Sequence, residues 1–116
     1  NLTSETLRVL KPSGRVIILT PDWRSQMKVF FEDYTHAKPY DAVSLKGLMI
    51  ISGFSNVETE LFWQLPAVWR FSALKLPAKA IQKIMSVPLA RKLSEITKIK
   101  SIRWSVELMV LGSGTK

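Results

Sequence analysis

The chain has 116 residues, of which 47% are hydrophobic, and a formal net charge of +8. This length and composition suit a single small domain with its own core. Because the sequence has no cysteine and only one histidine, His36, it excludes disulfides, a thiolate metal site and a cysteine nucleophile, and we expect no bound metal.

The N-terminal elements are predicted to be a short helix and a buried strand. Helical spacing of the leucines predicts a helix over residues 3–10, which Pro12 ends. A turn at Ser13-Gly14 leads into residues 15–19. The uninterrupted, β-branched apolar run of those residues predicts a strand buried on both faces, as in a parallel sheet.

A long aromatic loop precedes the second predicted helix and strand. Residues 22–43 show no sustained period, and loops of this length are usually functional. Ser44 is predicted to cap a helix that Gly53 closes in a left-handed conformation. The alternation of apolar and polar residues over 56–63 predicts a half-exposed strand near a sheet edge.

The rest of the chain is predicted to be a helical segment and a closing strand. Pro77 and Pro88 divide residues 64–102, which predicts two or three short helices, one of them cationic and amphipathic. The alternation over residues 104–110 predicts a closing strand, and Gly112-Ser113-Gly114 is expected to follow it. Because no helix comes after these glycines, we do not expect a phosphate-binding loop there.

The positive charge is concentrated in residues 64–104, where Glu95 is the only acidic residue. Four of these cations are candidates for contact with an anionic surface: Arg70, Lys75, Lys79 and Lys83. Beside Trp69 and Phe71 they suit an anionic membrane, and a solvated helix face is the other interpretation. Nucleic acid is disfavoured because the segment has few aromatic residues and no recognised binding motif.

The order of these elements and four motifs resemble a known enzyme family. The motifs are residues 8–15, RVLKPSGR; the strand that ends in Thr20-Pro21; the spaced set Asp33, His36, Pro39 and Tyr40; and Ser52-Gly53-Phe54. With these residues the chain resembles the C-terminal half of a class I S-adenosylmethionine-dependent methyltransferase. Ser13 stands where the family more usually has glycine, and a turn tolerates this difference.

The resemblance implies an α/β fold: strands five, six and seven of a Rossmann-like, seven-stranded sheet. The chain would be one partial domain, in which residues 1–63 and 103–112 supply sheet elements and residues 64–102 a basic helical insertion, or lid. The family holds S-adenosylmethionine with a glycine-rich loop and acidic residues that come before the fifth strand. Because these motifs are not in this sequence, we expect the chain alone to be inactive and not to bind the cofactor. An N-terminal half, in cis or in trans, would complete it.

The resemblance also implies candidate site residues in the aromatic loop. His36 is the candidate general base for a substrate hydroxyl, and a hydrogen bond within its own loop is the alternative interpretation. The candidate contacts for a small-molecule, sugar or lipid-linked substrate are Trp23, Phe31, Asp33, Tyr34 and Tyr40. Trp23 follows the first predicted strand, on the side where open α/β sheets bind ligands.

Two alternatives to a single-chain enzyme stay open. One is a non-catalytic basic α/β module that binds an acidic partner or an anionic membrane surface, and the other is a sheet that two chains complete. A complete module should unfold cooperatively as a monomer, whereas a fragment should expose the apolar faces and edge of its first strand.

The sequence carries no signal for membrane insertion or export. No apolar run approaches the roughly 20 residues that a membrane-spanning helix needs. The N-terminus also lacks the basic, apolar and small-residue order of a secretory signal. We therefore expect a cytoplasmic protein that is soluble or peripheral to a membrane.

Overall fold

The computed structural model of the chain describes residues 2–116, which form a mixed α/β structure. Three strands build one sheet: β1 (Arg15–Pro21), β2 (Ser55–Trp63) and β3 (Leu108–Thr115). The helices of these residues are α1 (Leu2–Val9), α2 (Trp23–Gln26), α3 (Ala42–Ile51), α4 (Pro66–Arg70), α5 (Lys75–Ile84), α6 (Val87–Thr97) and α7 (Lys100–Trp104). Single 3₁₀ turns lie at Phe30–Glu32 and Ser72–Leu74.

β3 is the central strand of the sheet and runs antiparallel to both neighbours. Leu111, for example, lies opposite Leu19 of β1 and Glu60 of β2. β1 and β2 are therefore parallel to each other, and their carboxyl ends lie at the same edge of the sheet. The predicted parallel pairing of β1 is wrong, because an apolar run indicates burial but does not specify the direction of the partner strand.

One face of the sheet is covered by α3, with α1 at its margin. Leu45 and Met49 of α3 are buried against Val110 of β3 and against Phe54, and Leu7 of α1 packs on this cluster. Burying side chains of this size stabilises a fold by about 1.5–3 kcal/mol each. The α3 face is therefore the main core of the sheet.

The last strand begins and ends later than the sequence predicts. Trp104 ends α7, so the predicted start of the closing strand is helical, while Gly112 and Gly114 lie within β3 and do not follow it. A Cβ atom at Gly112 would lie 2.9 Å from Met49 Sδ and 3.0 Å from Leu45 Cδ2. The glycine is needed for the close approach of α3, a tertiary reason that the local pattern does not contain.

The opposite face of the sheet carries exposed apolar side chains. Ile17 and Leu19 of β1 are 65% and 50% exposed, respectively. The prediction that β1 is buried on both faces is therefore wrong, because the helices described pack on Val16 and Ile18, on the other side of the strand. β2 lies at the second edge of the sheet, which confirms its predicted position.

α3 has a reciprocal N-terminal cap at a residue that the sequence analysis missed. Asp41, and not Ser44, is the N-cap: its carboxylate accepts a 2.8 Å hydrogen bond from the Ser44 backbone N–H, and Ser44 Oγ accepts one from the Asp41 N–H. The Ser44 backbone and hydroxyl, followed by the Arg24 guanidinium, lower the pKa of Asp41 to about 2. Beyond the other end of α3, Gly53 has a left-handed φ of 100°, as predicted.

Four short helices, α4 to α7, lie between β2 and β3, where the sequence predicts two or three. One apolar cluster attaches α4 and α5 to the sheet: Trp63, Val68, Ala78 and Leu108. A second cluster joins Val87 and Ala90 of α6 to Val106 and to Val29 of the aromatic loop. No helix within residues 2–116 combines the length and apolar character that crossing a bilayer requires.

Replacing Gly112 tests the close packing of α3 on β3. In Gly112→Ala the new methyl group must displace Met49 and Leu45, so we expect a loss of about 1–3 kcal/mol in the free energy of unfolding, measured with urea. Gly47→Ala is the matched control, since nothing lies within 4 Å of its Cβ position. The free energy of unfolding of Gly47→Ala should rise by up to about 1 kcal/mol. An equal fall in the free energy of unfolding of both variants would contradict the packing argument.

The pH dependence of stability tests the Asp41 cap. The pKa of Asp41 falls from 3.8 to about 2 on folding. A carboxyl with a lowered pKa stabilises the fold above its unfolded-state pKa, and this contribution is lost as the pH falls towards the folded value. Asp41→Asn keeps a good N-cap without the titration. Urea unfolding should therefore show a shallower loss of stability from pH 3.8 to about 2 in the variant, and parallel curves would refute the assignment.

Candidate functional site

A cavity of about 800 Å³ lies at the edge of the sheet where β1 and β2 end. Pro21 ends β1, Gln64 follows β2, and Met109 is near the start of β3; all three line the cavity. The other wall comes from α6, α7 and the connection between them, with Ser94, Lys98 and Trp104 among the residues that line it. The insertion therefore closes over the carboxyl ends of the two parallel strands.

His36 lines this cavity and has a defined hydrogen-bonding arrangement. Its Nδ1 lies 2.8 Å from the carbonyl oxygen of Phe30, and its ring packs on the Phe30 ring at 4.7 Å between centroids. Because a carbonyl oxygen only accepts hydrogen bonds, Nδ1 carries the proton and Nε2 of the neutral ring has the free lone pair. Nε2 is the atom that could accept a proton.

Asp33 also lines the cavity and lies next to this nitrogen. Its Oδ2 is 3.8 Å from His36 Nε2. The hydroxyl of Thr35, at 2.6 Å, and then the Thr35 backbone N–H, at 2.9 Å, donate to Asp33 Oδ1 and lower the pKa of the carboxyl. The Asp33 carboxylate is therefore a charged group next to His36 Nε2.

The other predicted substrate residues do not gather in the cavity. Trp23 and Phe31 belong to an aromatic cluster with the buried Phe30, and the ring centroids of Trp23 and Phe31 are 5.7 Å apart. Tyr40 bridges to Asp22 through the backbone and packs on the α3 core. Tyr34 is 96% exposed to solvent. Of the residues predicted to meet substrate, the cavity therefore includes Asp33 and His36.

Glu107 is a residue of the cavity that the sequence analysis missed. Its buried carboxylate accepts hydrogen bonds from Arg91 Nε at 2.5 Å and from Arg103 Nε at 2.7 Å. Arg91 also reaches Glu32 of the aromatic loop at 2.9 Å. The carboxylate thus links α6 and α7 to the residue directly before β3. The i, i+4 spacing of Arg103 and Glu107 was the available signal, but this spacing also occurs on ordinary exposed helices.

The four cations of the basic segment are exposed and do not line the His36 cavity: Arg70, Lys75, Lys79 and Lys83. Arg70 ends α4 and its guanidinium carbon lies 6.0 Å from the Phe71 ring centroid. The three lysines lie along α5. Any role of these residues concerns a different surface from that of His36.

Gly112-Ser113-Gly114 does not form a nucleotide-binding loop. The Gly112-Ser113-Gly114 sequence lies in β3 beneath α3, where Leu45 and Met49 already occupy the space beside Gly112. A nucleotide-binding glycine loop would instead lead from a strand into a helix N-terminus. Within residues 2–116 there is also no group of three His, Asp or Glu side chains that could hold a metal ion.

Comparison of the sequence with protein-family models and with curated proteins finds no match.

Removing the charge of Glu107 tests how the insertion is held. Glu107→Gln leaves Arg91 and Arg103 without their shared buried carboxylate, so we expect a loss of about 2 kcal/mol in the free energy of unfolding. Glu58→Gln, on the exposed side of β2, is the matched control and should change stability by less than about 0.5 kcal/mol. Urea unfolding of both variants makes the comparison, and equal effects would show that Glu107 does not hold the insertion.

Proposed function

We propose that this chain forms the substrate-side half of an S-adenosylmethionine-dependent methyltransferase that acts on a small, polar substrate. The observation that carries the proposal is the cavity with His36 Nε2 and Asp33 at the carboxyl ends of two parallel strands. Ligands of open α/β sheets bind at this edge. Two of the motifs that resemble the family are near this site in the chain. Residues 8–15 lead into β1, and residues 33–40 include Asp33 and His36.

The lining of the cavity supports a polar substrate. Arg91 and Arg103 are engaged by Glu107, whereas Lys98 and Lys100 are exposed at the cavity. Hydroxyl, carboxylate or phosphate groups of a small molecule or sugar would find donors there. Trp23 and Phe31 lie in the loop that also carries His36, and they hold that loop through aromatic contacts with Phe30.

His36 is proposed to take the proton of the substrate nucleophile. Nδ1–H donates to the Phe30 carbonyl oxygen, which orients the ring, and Nε2 accepts the proton from a substrate hydroxyl. The resulting imidazolium lies beside the Asp33 carboxylate. A bound S-adenosylmethionine would supply the electrophilic methyl group. Because the family's cofactor-binding motifs are not in this sequence, we propose that an N-terminal half would bind the cofactor.

The exposed apolar side of β1 supports an enzyme that continues beyond this sheet. Ile17 and Leu19 lie on an edge strand, whose backbone groups on the outer side face away from β3. An apolar edge of this kind favours pairing with a further strand. We propose that the occupant is the cofactor-binding half, with helices that cover Ile17 and Leu19.

Activity of the full-length product of the native gene tests the proposal. With S-adenosylmethionine carrying a labelled methyl group, the protein should transfer label to a hydroxylated small molecule. His36→Gln keeps a donor for the Phe30 carbonyl but has no basic nitrogen, so kcat should fall by about 100-fold or more with little change in KM. The acid limb of the kcat–pH profile should also disappear.

Lys38→Gln is the control in the same loop, since Lys38 is exposed and does not line the cavity. It should keep the kcat of the unmodified protein. Absence of any label transfer by the full-length protein would overturn the methyltransferase proposal. Transfer with an unchanged kcat in His36→Gln would overturn only the role of His36 as a base.

A further inference from the structure

The α5 helix has an unusual distribution of buried and exposed side chains. Ala78 is buried, and Gln82, one turn further on, donates a 3.2 Å hydrogen bond from Nε2 to the Val106 carbonyl oxygen. These two residues fix the side of α5 that faces the protein. Residues two positions away on an α-helix point in the opposite direction, so Leu76, Ala80 and Ile84 face outwards.

The outward side of α5 is apolar and exposed to solvent. Leu76 is 74% and Ile84 is 86% exposed, and Ala80 between them is also exposed. The three residues are spaced by four and therefore form one continuous stripe along the helix. An ordinary surface helix places its apolar stripe against the core, so this stripe requires a different explanation.

A row of lysines runs beside the apolar stripe. Lys75, Lys79 and Lys83 each precede a residue of the stripe and are also spaced by four. Within residues 2–116 none of the three takes part in an ion pair. The sequence has no acidic residue between Glu60 and Glu95. The surface therefore combines uncompensated positive charge with exposed aliphatic groups.

We propose that α5 docks on an anionic lipid bilayer, with Leu76, Ala80 and Ile84 in the acyl boundary and the lysine row at the headgroups. Lysines flanking an exposed apolar stripe are the pattern of a helix that lies in the plane of a membrane interface. The anionic headgroups supply the charge that the lysines lack, and each basic residue strengthens such binding. This inference does not depend on the proposed methyltransferase activity.

A second copy of the chain and a nucleic acid suit this surface less well. Pairing two apolar stripes would bring two rows of lysines together, and like charges repel. Nucleic-acid phosphates would bind the lysines but would leave Leu76 and Ile84 in water, and α5 has no aromatic side chain for stacking on bases.

Vesicle flotation with the full-length product of the native gene tests the proposal, since aggregates do not float with lipid. We expect binding to vesicles of phosphatidylcholine mixed with phosphatidylglycerol, little binding to phosphatidylcholine alone, and release as ionic strength is raised. Lys79→Gln/Lys83→Gln should lower the partition coefficient at least about tenfold. Lys11→Gln/Lys38→Gln, two exposed lysines elsewhere, is the charge-matched control and should bind almost as the original chain does.

The apolar stripe needs its own comparison. Leu76→Ser/Ile84→Ser should abolish flotation, whereas Val43→Ser/Ile51→Ser, a pair of exposed apolar residues on α3, should not. Circular dichroism verifies that all variants are folded. Equal binding to neutral vesicles, or full binding after Leu76→Ser/Ile84→Ser, would overturn the proposal; the second result would indicate a purely electrostatic polyanion site. If the original protein were a dimer in sedimentation velocity and Leu76→Ser/Ile84→Ser became a monomer with unchanged flotation, the stripe would instead contact a second copy of the chain.

Discussion

β3 pairs along its length with both β1 and β2, and it separates these two strands from each other. Its backbone hydrogen bonds therefore make β1 and β2 parallel and bring their carboxyl ends to one edge. Gly112 lets α3 pack closely on β3, which fixes the covered face. The position of the candidate site follows, because the His36 loop leaves β1 at that same edge.

The entry of β3 has a second role, since Glu107 links it to the helical insertion. One buried carboxylate accepts hydrogen bonds from Arg91 of α6 and Arg103 next to β3, and Arg91 extends the contact to Glu32 of the aromatic loop. Removing one partner from such a network leaves the other charges unpaired. The contributions of Glu107 and the two arginines are therefore coupled. The three walls of the cavity, the sheet edge, the loop and the insertion, are thereby held in one arrangement.

Local signals in the sequence predicted part of this arrangement. The left-handed conformation of Gly53 and the position of β2 at a sheet edge are both confirmed. The first depends on local backbone conformation and the second on one-sided exposure, and neighbouring residues in the sequence specify both. The apolar run of β1 does not specify a partner, so neither its antiparallel pairing nor the exposure of Ile17 could be read from it. The prediction that Gly112 and Gly114 follow the strand is wrong because the approach of α3, which requires a glycine within β3, is a tertiary contact. Glu107 could not be predicted for a similar reason. Arg91 lies on α6, far from Glu107 in the sequence, and the i, i+4 spacing of Arg103 and Glu107 is common on exposed helices.

We propose that β1 pairs with a further strand of a larger sheet, whose other half would bind S-adenosylmethionine. The native coding DNA upstream of Asn1 tests it most directly. If β1 belongs to such a sheet, that DNA should encode an in-frame strand, glycine-rich loop and helix, with an acidic residue about 20 positions further on. A stop codon and a start codon directly upstream of Asn1, with no partner chain that supplies such a half, would contradict it.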